Sequence, residues 1–281
     1  MADAAERARA FLQEERAFRL GTLLTESSHP KTRDLSETIQ ADVPAGIRQL
    51  LSVDEDIALA AERLFAQDGY GRLVEAFGRA IGDAKQIFFT GCGATGRLSI
   101  LLEAAWRRFW RDLEALPTDA NKMWPLCISV MAGGDFALIK SVEGFEDFPS
   151  FGRHQLREAG VQAGDVVVAI TEGGETPFVI GTAWEGLERG AQVFFVYNNP
   201  TAQLREHVDR SRQVIEEPRI TKLDLTTGPM AITGSTRMQA TTAELLVVGA
   251  ALETAILRWL RDRLPEVDWK ERSGQEYAQL F

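Results

Sequence analysis

Nearly all-apolar runs recur along this chain over residues 86–90, 126–131, 165–170 and 192–197, with a weaker one at 222–225. Continuous apolar character, rather than alternation, marks strands that are covered on both faces, as in a parallel sheet. Between the runs, apolar residues recur at helical spacing over 98–116, 136–141, 150–159, 177–189 and 202–208, and a long final helix is predicted over 235–264. Upstream, helical patterning covers 2–24, 44–51, 52–65 and 70–81; Asp54, Glu55 and Asp56 fall at the amino end of one of these, where acids suit the helix dipole. The polar stretch 25–36 contains His29-Pro30, and a proline disfavours a helical residue before it, so an extended crossing segment is expected there. Strands alternating with helices predict an α/β fold with a doubly wound parallel sheet. The pattern divides the chain into a helical N-terminal arm (1–69), an α/β domain (70–264) and a charged tail (265–281), a short helix or a frayed end.

In such sheets ligands sit beyond the carboxyl ends of the strands, at the switch point. The first strand runs into Gly91-Cys92-Gly93-Ala94-Thr95-Gly96-Arg97. A glycine turn feeding a helix start, expected near Arg97, presents unpaired N–H groups to an anion. The spacing also fits the dinucleotide fingerprint G-x-G-x-x-G. That alternative needs an acid to hold a ribose, and Asp135 lies well past the usual offset, while Asp112 and Glu114 fall on a Trp-rich helical stretch. The other strand ends feed Ala132-Gly133-Gly134-Asp135, Thr171-Glu172-Gly173-Gly174-Glu175-Thr176-Pro177 and Asn198-Asn199-Pro200. Hydroxyls at Thr95, Thr171, Thr176, Ser235 and Thr236, joined by amides of Gly93, Gly96 and Gly173, suit a compact phosphomonoester held by uncharged donors. No cofactor is called for.

Composition narrows the partners. The chain has 281 residues, 45% apolar, and a net charge of −10, which argues against nucleic acid or an anionic membrane as a partner. A nest of amides still binds a phosphate inside an acidic protein. Cys92 and Cys127 are expected reduced, and Cys92 is expected to pack rather than react. His29, His154 and His207 are expected on the surface, and with no paired-Cys spacing a structural metal site is not expected. No secretory leader or apolar run of ~18 residues is evident, so a soluble cytoplasmic protein is expected. Trp106, Phe109 and Trp110 have helical spacing and are expected in the core or a subunit contact.

Three stretches carry a family resemblance: 91–98, 132–147 with Val142-Glu143-Gly144-Phe145-Glu146-Asp147, and Ile232-Thr233-Gly234-Ser235-Thr236-Arg237-Met238. Together they resemble the sugar isomerase (SIS) domain, in the branch that holds N-acetylmuramic acid 6-phosphate etherase and the glucokinase regulatory protein. Thr25-Glu26, Pro30 and Thr32-Arg33-Asp34-Leu35 resemble the N-terminal segment of that branch, and the resemblance spans roughly 22–260. It implies an SIS-type five-stranded parallel sheet that binds a phosphosugar. It also implies a catalytic role in etherases for the glutamate matching Glu146, a general acid–base group in elimination of lactate. The second etherase glutamate matches Ala105 here; Glu103 is nearby, but two residues is about 200° of helix, so it points elsewhere. Trp106 stands where etherases place a Cys-Pro-Pro turn, Ala94-Thr95 replaces Thr-Ser, and Gly173 replaces a serine. The regulatory protein likewise lacks the second glutamate and binds its sugar phosphate without turnover.

The expected function is therefore a phosphosugar-binding protein of regulatory or sensor type. The alternative is an etherase-like lyase or sugar-phosphate isomerase using Glu146 with Glu172 or Glu175. Ligand contacts are expected from Gly93, Thr95, Gly96, Glu146, Thr171, Gly173, Thr176, Ser235 and Thr236. Ser235 or Thr236 could instead cap the last helix, and Arg237 would fall in its first turn. Glu172 and Glu175 could face solvent, hold sugar hydroxyls or an amino group, or act as acids. One SIS domain per chain implies a homodimer. The etherases' C-terminal helical module is not matched, as in a piece of a longer two-SIS protein or a short member.

Overall fold

A computed structural model describes residues 3–15, 20–114, 120–140, 142 and 144–279. Five strands form one parallel sheet: β1 (Ile87–Gly91), β2 (Cys127–Met131), β3 (Val166–Ile170), β4 (Gln192–Tyr197) and β5 (Ile220–Asp224), in the order β2-β1-β3-β4-β5. The register is parallel throughout, with Phe88 opposite Ile128 on one side and Val167 on the other. Order reverses at β1, which opens a crevice beside the carboxyl ends of β1 and β3. Successive residues face opposite layers, so the central strands need apolar residues at every position. Phe89, Val168 and Val196 point into one core with Phe77, Trp106, Trp110 and Val247, whereas Phe88, Val167 and Phe195 point into the other with Leu156, Phe178 and Val179.

The first core is covered by α5 (Asp68–Gly82), α6 (Gly93–Asp112) and α13 (Gln239–Arg261), and the second by α9 (Pro149–Glu158), α10 (Pro177–Glu188) and α12 (Asp209–Glu216), with short helices α7 (Ala120–Met123), α8 (Phe136–Ile139) and α11 (Thr201–His207) in the connections. The indole of Trp106 donates to the Met123 carbonyl at 2.8 Å, and Trp110 meets Trp106 and Trp259 edge to face, which places the aromatic group in the core. Helix α13 is long and apolar enough to cross a membrane by composition alone, but most of that stretch is buried inside this fold. The tail forms α14 (Gly274–Ala278), whose Tyr277 stacks on Phe65 of α4 (Glu55–Phe65).

Three stretches of the arm and the last helix fold differently from expectation. The first helix, α1 (Ala4–Glu14), stops well short of residue 24 and buries no side chain; residues 16–19 lie outside the described residues. The stretch 25–36 is not extended: it makes 3₁₀ turns at Leu24–Glu26 and Pro30–Thr32 and then enters α2 (Leu35–Ala41) and α3 (Val43–Leu51). Its cause is a long-range latch at His29, which is only 5% exposed rather than a surface residue. Nδ1 of His29 accepts from the Lys31 amide at 3.0 Å, so Nε2 carries the hydrogen and donates to Asp56 Oδ2 at 2.7 Å. His29→Ala is therefore expected to cost about 1–2 kcal/mol in a denaturant titration; an unchanged midpoint would show that the latch is incidental. His154 and His207 are exposed, as expected.

The third difference concerns the last helix, which begins at Gln239 rather than 235. Gly234 takes φ +70° and donates its N–H to the Thr25 carbonyl, while the Gln239 side chain turns back to the Ala231 amide at 3.0 Å. These contacts hold 232–238 in turns before the helix can start. Met238 stands at the cap without a side-chain capping bond, so neither Ser235 nor Thr236 is the N-cap.

Candidate functional site

The turn after β1 is built by exclusion of side chains. A Cβ on Gly91 would lie 2.4 Å from the Thr95 carbonyl carbon, and one on Gly96 would lie 2.5 Å from Met131, so both positions demand glycine. Gly93 takes φ +55°, a left-handed conformation that glycine adopts freely. The turn is thus already the first turn of α6, which begins at Gly93 rather than near Arg97. Thr95 closes it from inside: its hydroxyl accepts from the Cys92 amide and donates to the Cys92 carbonyl, both at 2.9 Å. Thr95 is buried, and its hydroxyl is consumed in holding the turn rather than offered to a ligand.

Beside this turn lies a cavity of about 430 Å³, within the range of small-molecule sites. The glycine turn contributes Cys92, Gly93 and Arg97, the segment after β2 contributes Lys140 and Glu146 among others, and Arg237 closes it from the loop before α13. Of the residues expected from sequence, Gly93 and Glu146 line this space. Uncharged donors do not act alone here, because three cations face the cavity together with one carboxylate. Arg97 and Lys140 were not expected. Arg97 was legible as the residue one helical turn beyond Gly93, whose carbonyl it reaches at 3.0 Å; Lys140 depends on how 136–146 folds back and left no signal.

Glu146 is fixed at both ends. Its backbone carbonyl accepts from the Phe178 amide at the start of α10, at 3.0 Å, and its Oε2 lies 3.2 Å from Cys92 Sγ, which donates. Burial, and then the neighbouring Glu146, push the Cys92 thiol far up, so it stays protonated and is no nucleophile at neutral pH.

The remaining expected residues stand on neighbouring turns of the same sheet edge. Thr171 and Thr176 bond each other through their hydroxyls at 3.0 Å. The Gly173 carbonyl takes an N–H from Asn199 at 2.9 Å, and Asn199 also brackets Thr25, accepting from its amide and donating to its hydroxyl, each at 3.1 Å. Ser235 and Thr236 lie in the loop pinned by Thr25, and the Thr236 carbonyl accepts from Thr241. None of these five lines the 430 Å³ cavity.

The two acids of the β3 turn separate cleanly. Glu175 pairs with Arg210 across the turn. Glu172 turns inward, and burial, only partly offset by a bond from Thr241 and by Arg237, pushes its carboxyl up to about 7. On α6, Glu103 faces β2, where it accepts from the Ser129 amide at 2.7 Å and pairs with Arg107. Ala105 is exposed and lies twelve residues beyond Gly93, about 18 Å along the helix. A carboxylate at either position could not meet Glu146 within one chain. Among the described residues, no group of three or more His, Cys, Asp or Glu side chains is arranged to hold a metal ion.

Residues 72–184 match the family described as the glucokinase regulatory protein N-terminal SIS domain. The chain is 29% identical over 239 residues to the N-acetylmuramic acid 6-phosphate etherase of Aliivibrio fischeri, covering 85% of this chain and 71% of the relative. It is 28% identical over 241 residues to the etherase of Mesorhizobium japonicum, covering 85% of this chain and 69% of that one. The phosphoheptose isomerase of Neisseria gonorrhoeae superposes with a TM-score of 0.51 at 16% identity, over 78% of this chain and 99% of that structure, a likeness of fold. With its strand order and its glycine turn, the chain is thus similar over residues 72–184 to an SIS domain of the regulatory-protein type and, over most of its length, to the etherases.

Proposed function

We propose that this chain binds a phosphorylated hexose or amino sugar in the cavity beside the glycine turn. One observation carries this: three cations and the amide-rich start of α6 converge on a space of hexose size that also holds a single carboxylate. The cations suit the phosphate, and Glu146 suits sugar hydroxyls as an acceptor. The output we infer is regulatory or sensor-like binding, because position 105 carries no carboxylate and lies far from the cavity. A homodimer in the cytoplasm goes with this reading; Phe145, which lines the cavity, stacks on exposed Phe151 beside Phe148, an apolar cluster that suits coverage by a second copy.

A thermal-shift screen tests it. Hexose 6-phosphates are expected to raise the melting temperature and NAD is not; protection by NAD alone would remove sugar-phosphate binding. Arg237→Ala is expected to weaken the best hexose phosphate by about tenfold to a hundredfold in calorimetric titration, the worth of one hydrogen bond to a charged group. An unchanged Kd would move the phosphate away from that wall. The second reading, a lyase of the etherase kind, is favoured by the etherase relatives and the retained Glu146. Lactate released from N-acetylmuramic acid 6-phosphate, and lost in Glu146→Ala, would establish it over the binder.

A further inference from the structure

A hexose phosphate has a charged end and a hydroxylated ring to satisfy, and the cavity answers them unequally. The phosphate meets cations: Arg97 from α6, Arg237 from the loop before α13, and Lys140. The ring hydroxyls meet very little. Among the described residues, no Ser, Thr, Asn, Gln, Tyr or His side chain lines the space. Apart from the cations, the side chains there with hydrogen-bonding atoms are Glu146, Cys92 and the weakly accepting Met131. The Cys92 thiol already donates to Glu146 at 3.2 Å.

The wall formed by the end of β2 and the segment after it is apolar instead. Met131, Leu138, Ile139, Val142 and Phe145 all line it. Much of its main chain is already engaged. The amides of Ala132, Ala137, Leu138 and Lys140 donate to the carbonyls of Gly91, Gly134, Asp135 and Phe136. The Met131 carbonyl accepts from both the Gly134 amide and the Gln155 side chain. A sugar hydroxyl set against this wall loses its water and gains no side-chain partner, which is unfavourable. An apolar group in the same place loses nothing and removes apolar surface from water. Much of that surface is open: α8 buries none of its side chains, and Leu138 is 49% exposed and Ile139 85%. Exposed apolar side chains gathered along a ligand cavity mark a surface that binding covers.

We propose that the ligand is a phosphorylated glycoside, a sugar 6-phosphate whose anomeric oxygen carries an aryl or alkyl group, and that this group lies against Leu138, Ile139 and Phe145. The inference rests on the sugar-phosphate reading and narrows it to a substrate class. The anomeric carbon lies across the ring oxygen from the carbon that bears the phosphorylated arm, so a group there leaves the phosphate free to reach the cations. Glu146 accepts from ring hydroxyls. A glycoside also keeps its ring closed and offers no free carbonyl, which agrees with a site that binds without turnover.

Calorimetric titration of the full chain tests this with four compounds: phenyl β-D-glucoside 6-phosphate, methyl β-D-glucoside 6-phosphate, glucose 6-phosphate and unphosphorylated phenyl β-D-glucoside. The phenyl phosphate is expected to bind at least about tenfold tighter than the methyl phosphate, which shares its closed ring and its charge. It is expected to bind at least about tenfold tighter than the unphosphorylated phenyl glucoside, which offers the cations nothing. In the double variant Leu138→Ser, Ile139→Ser, the phenyl-to-methyl affinity ratio is expected to fall below about threefold. Equal affinity for the phenyl and methyl phosphates overturns the inference and leaves the sugar-phosphate reading standing. Binding of glucose 6-phosphate but of neither glycoside phosphate does the same. A phenyl preference that survives the double substitution also overturns it, because another surface then holds the ring. The ratio in the unsubstituted protein decides the matter even if the variant fails to fold. Failure of every phosphorylated sugar to bind, or equally tight binding of the unphosphorylated glucoside, removes the sugar-phosphate reading and the inference with it.

Discussion

At pH 8, Glu172→Gln is expected to be about 3 kcal/mol more stable to denaturant than the unsubstituted protein, and at pH 4 the two are expected to be equal. A carboxyl whose value rises from 4.5 unfolded to about 7 folded holds its proton more tightly in the native state. Its contribution is fully present below pH 4.5 and is lost as pH climbs through about 7, at 1.36 kcal/mol for each unit of displacement. Glutamine keeps the shape, still accepts from Thr241, and has no proton to lose, so the difference between the two curves reads Glu172 together with Glu244, whose carboxyl feels its charge. Glu185, held down to about 2 by Arg157 and Arg189, has the opposite sign: its contribution is present above pH 4.5 and is lost as pH falls toward 2. The two effects occupy separate windows. A stability difference that does not change between pH 4 and 8 would show that Glu172 ionises normally.

The sheet was legible because its central strands are buried on both faces, and that condition writes itself into the chain as unbroken apolar runs. β3 is Val-Val-Val-Ala-Ile with every residue buried, and its expected and observed bounds differ by one position. β5 was read two residues late because it is an edge strand: Thr221 and Lys222 are half-exposed, and an edge does not select against polar side chains. Stretches shaped by distant contacts were misread. Nothing in 25–36 announces that Thr25 will clasp Asn199, that Thr32 will donate to Ala231, or that His29 will find Asp56. The same holds at the site. Gly93 takes a left-handed φ that favours glycine, and both it and Glu146 line the cavity from motifs visible in the sequence. The Thr95 hydroxyl closes its own turn, and a hydroxyl that closes a turn and one that binds a ligand look alike in a sequence. Glu172 and Glu175 share one turn, and only the positions of Arg210, Thr241 and Glu244 decide which acid pairs at the surface and which goes inside.

Gly181→Ala is expected to destabilise the protein by about 3 kcal/mol and to weaken sugar-phosphate binding at least about tenfold, although residue 181 is outside the cavity lining. Helices α9 and α10 cross with their backbones in contact: a Cβ on Gly181 would lie 2.0 Å from the Pro149 carbonyl oxygen, and one on Gly152 would lie 1.9 Å from that of Phe178. The obstacles are main-chain atoms, so no rotamer change relieves the overlap; the helices must move apart and loosen the packing of Leu156, Phe178 and Val179. Alanine's better helix propensity returns at most about 1 kcal/mol of this. The amino end of α10 also holds the site, since the Phe178 amide donates to the Glu146 carbonyl. Displacing that end carries Glu146 away from Cys92 and the cavity. Gly71→Ala is the matched control: it lies in α5 with nothing near its Cβ, and it is expected to gain about 0.5–1 kcal/mol and leave binding alone. Parallel denaturant titrations and calorimetric Kd values read both effects. Equal behaviour of the two alanine variants would mean that the α9–α10 crossing is looser than its geometry indicates. Loss of stability with an unchanged Kd would mean that Glu146 is placed by its own segment rather than by α10.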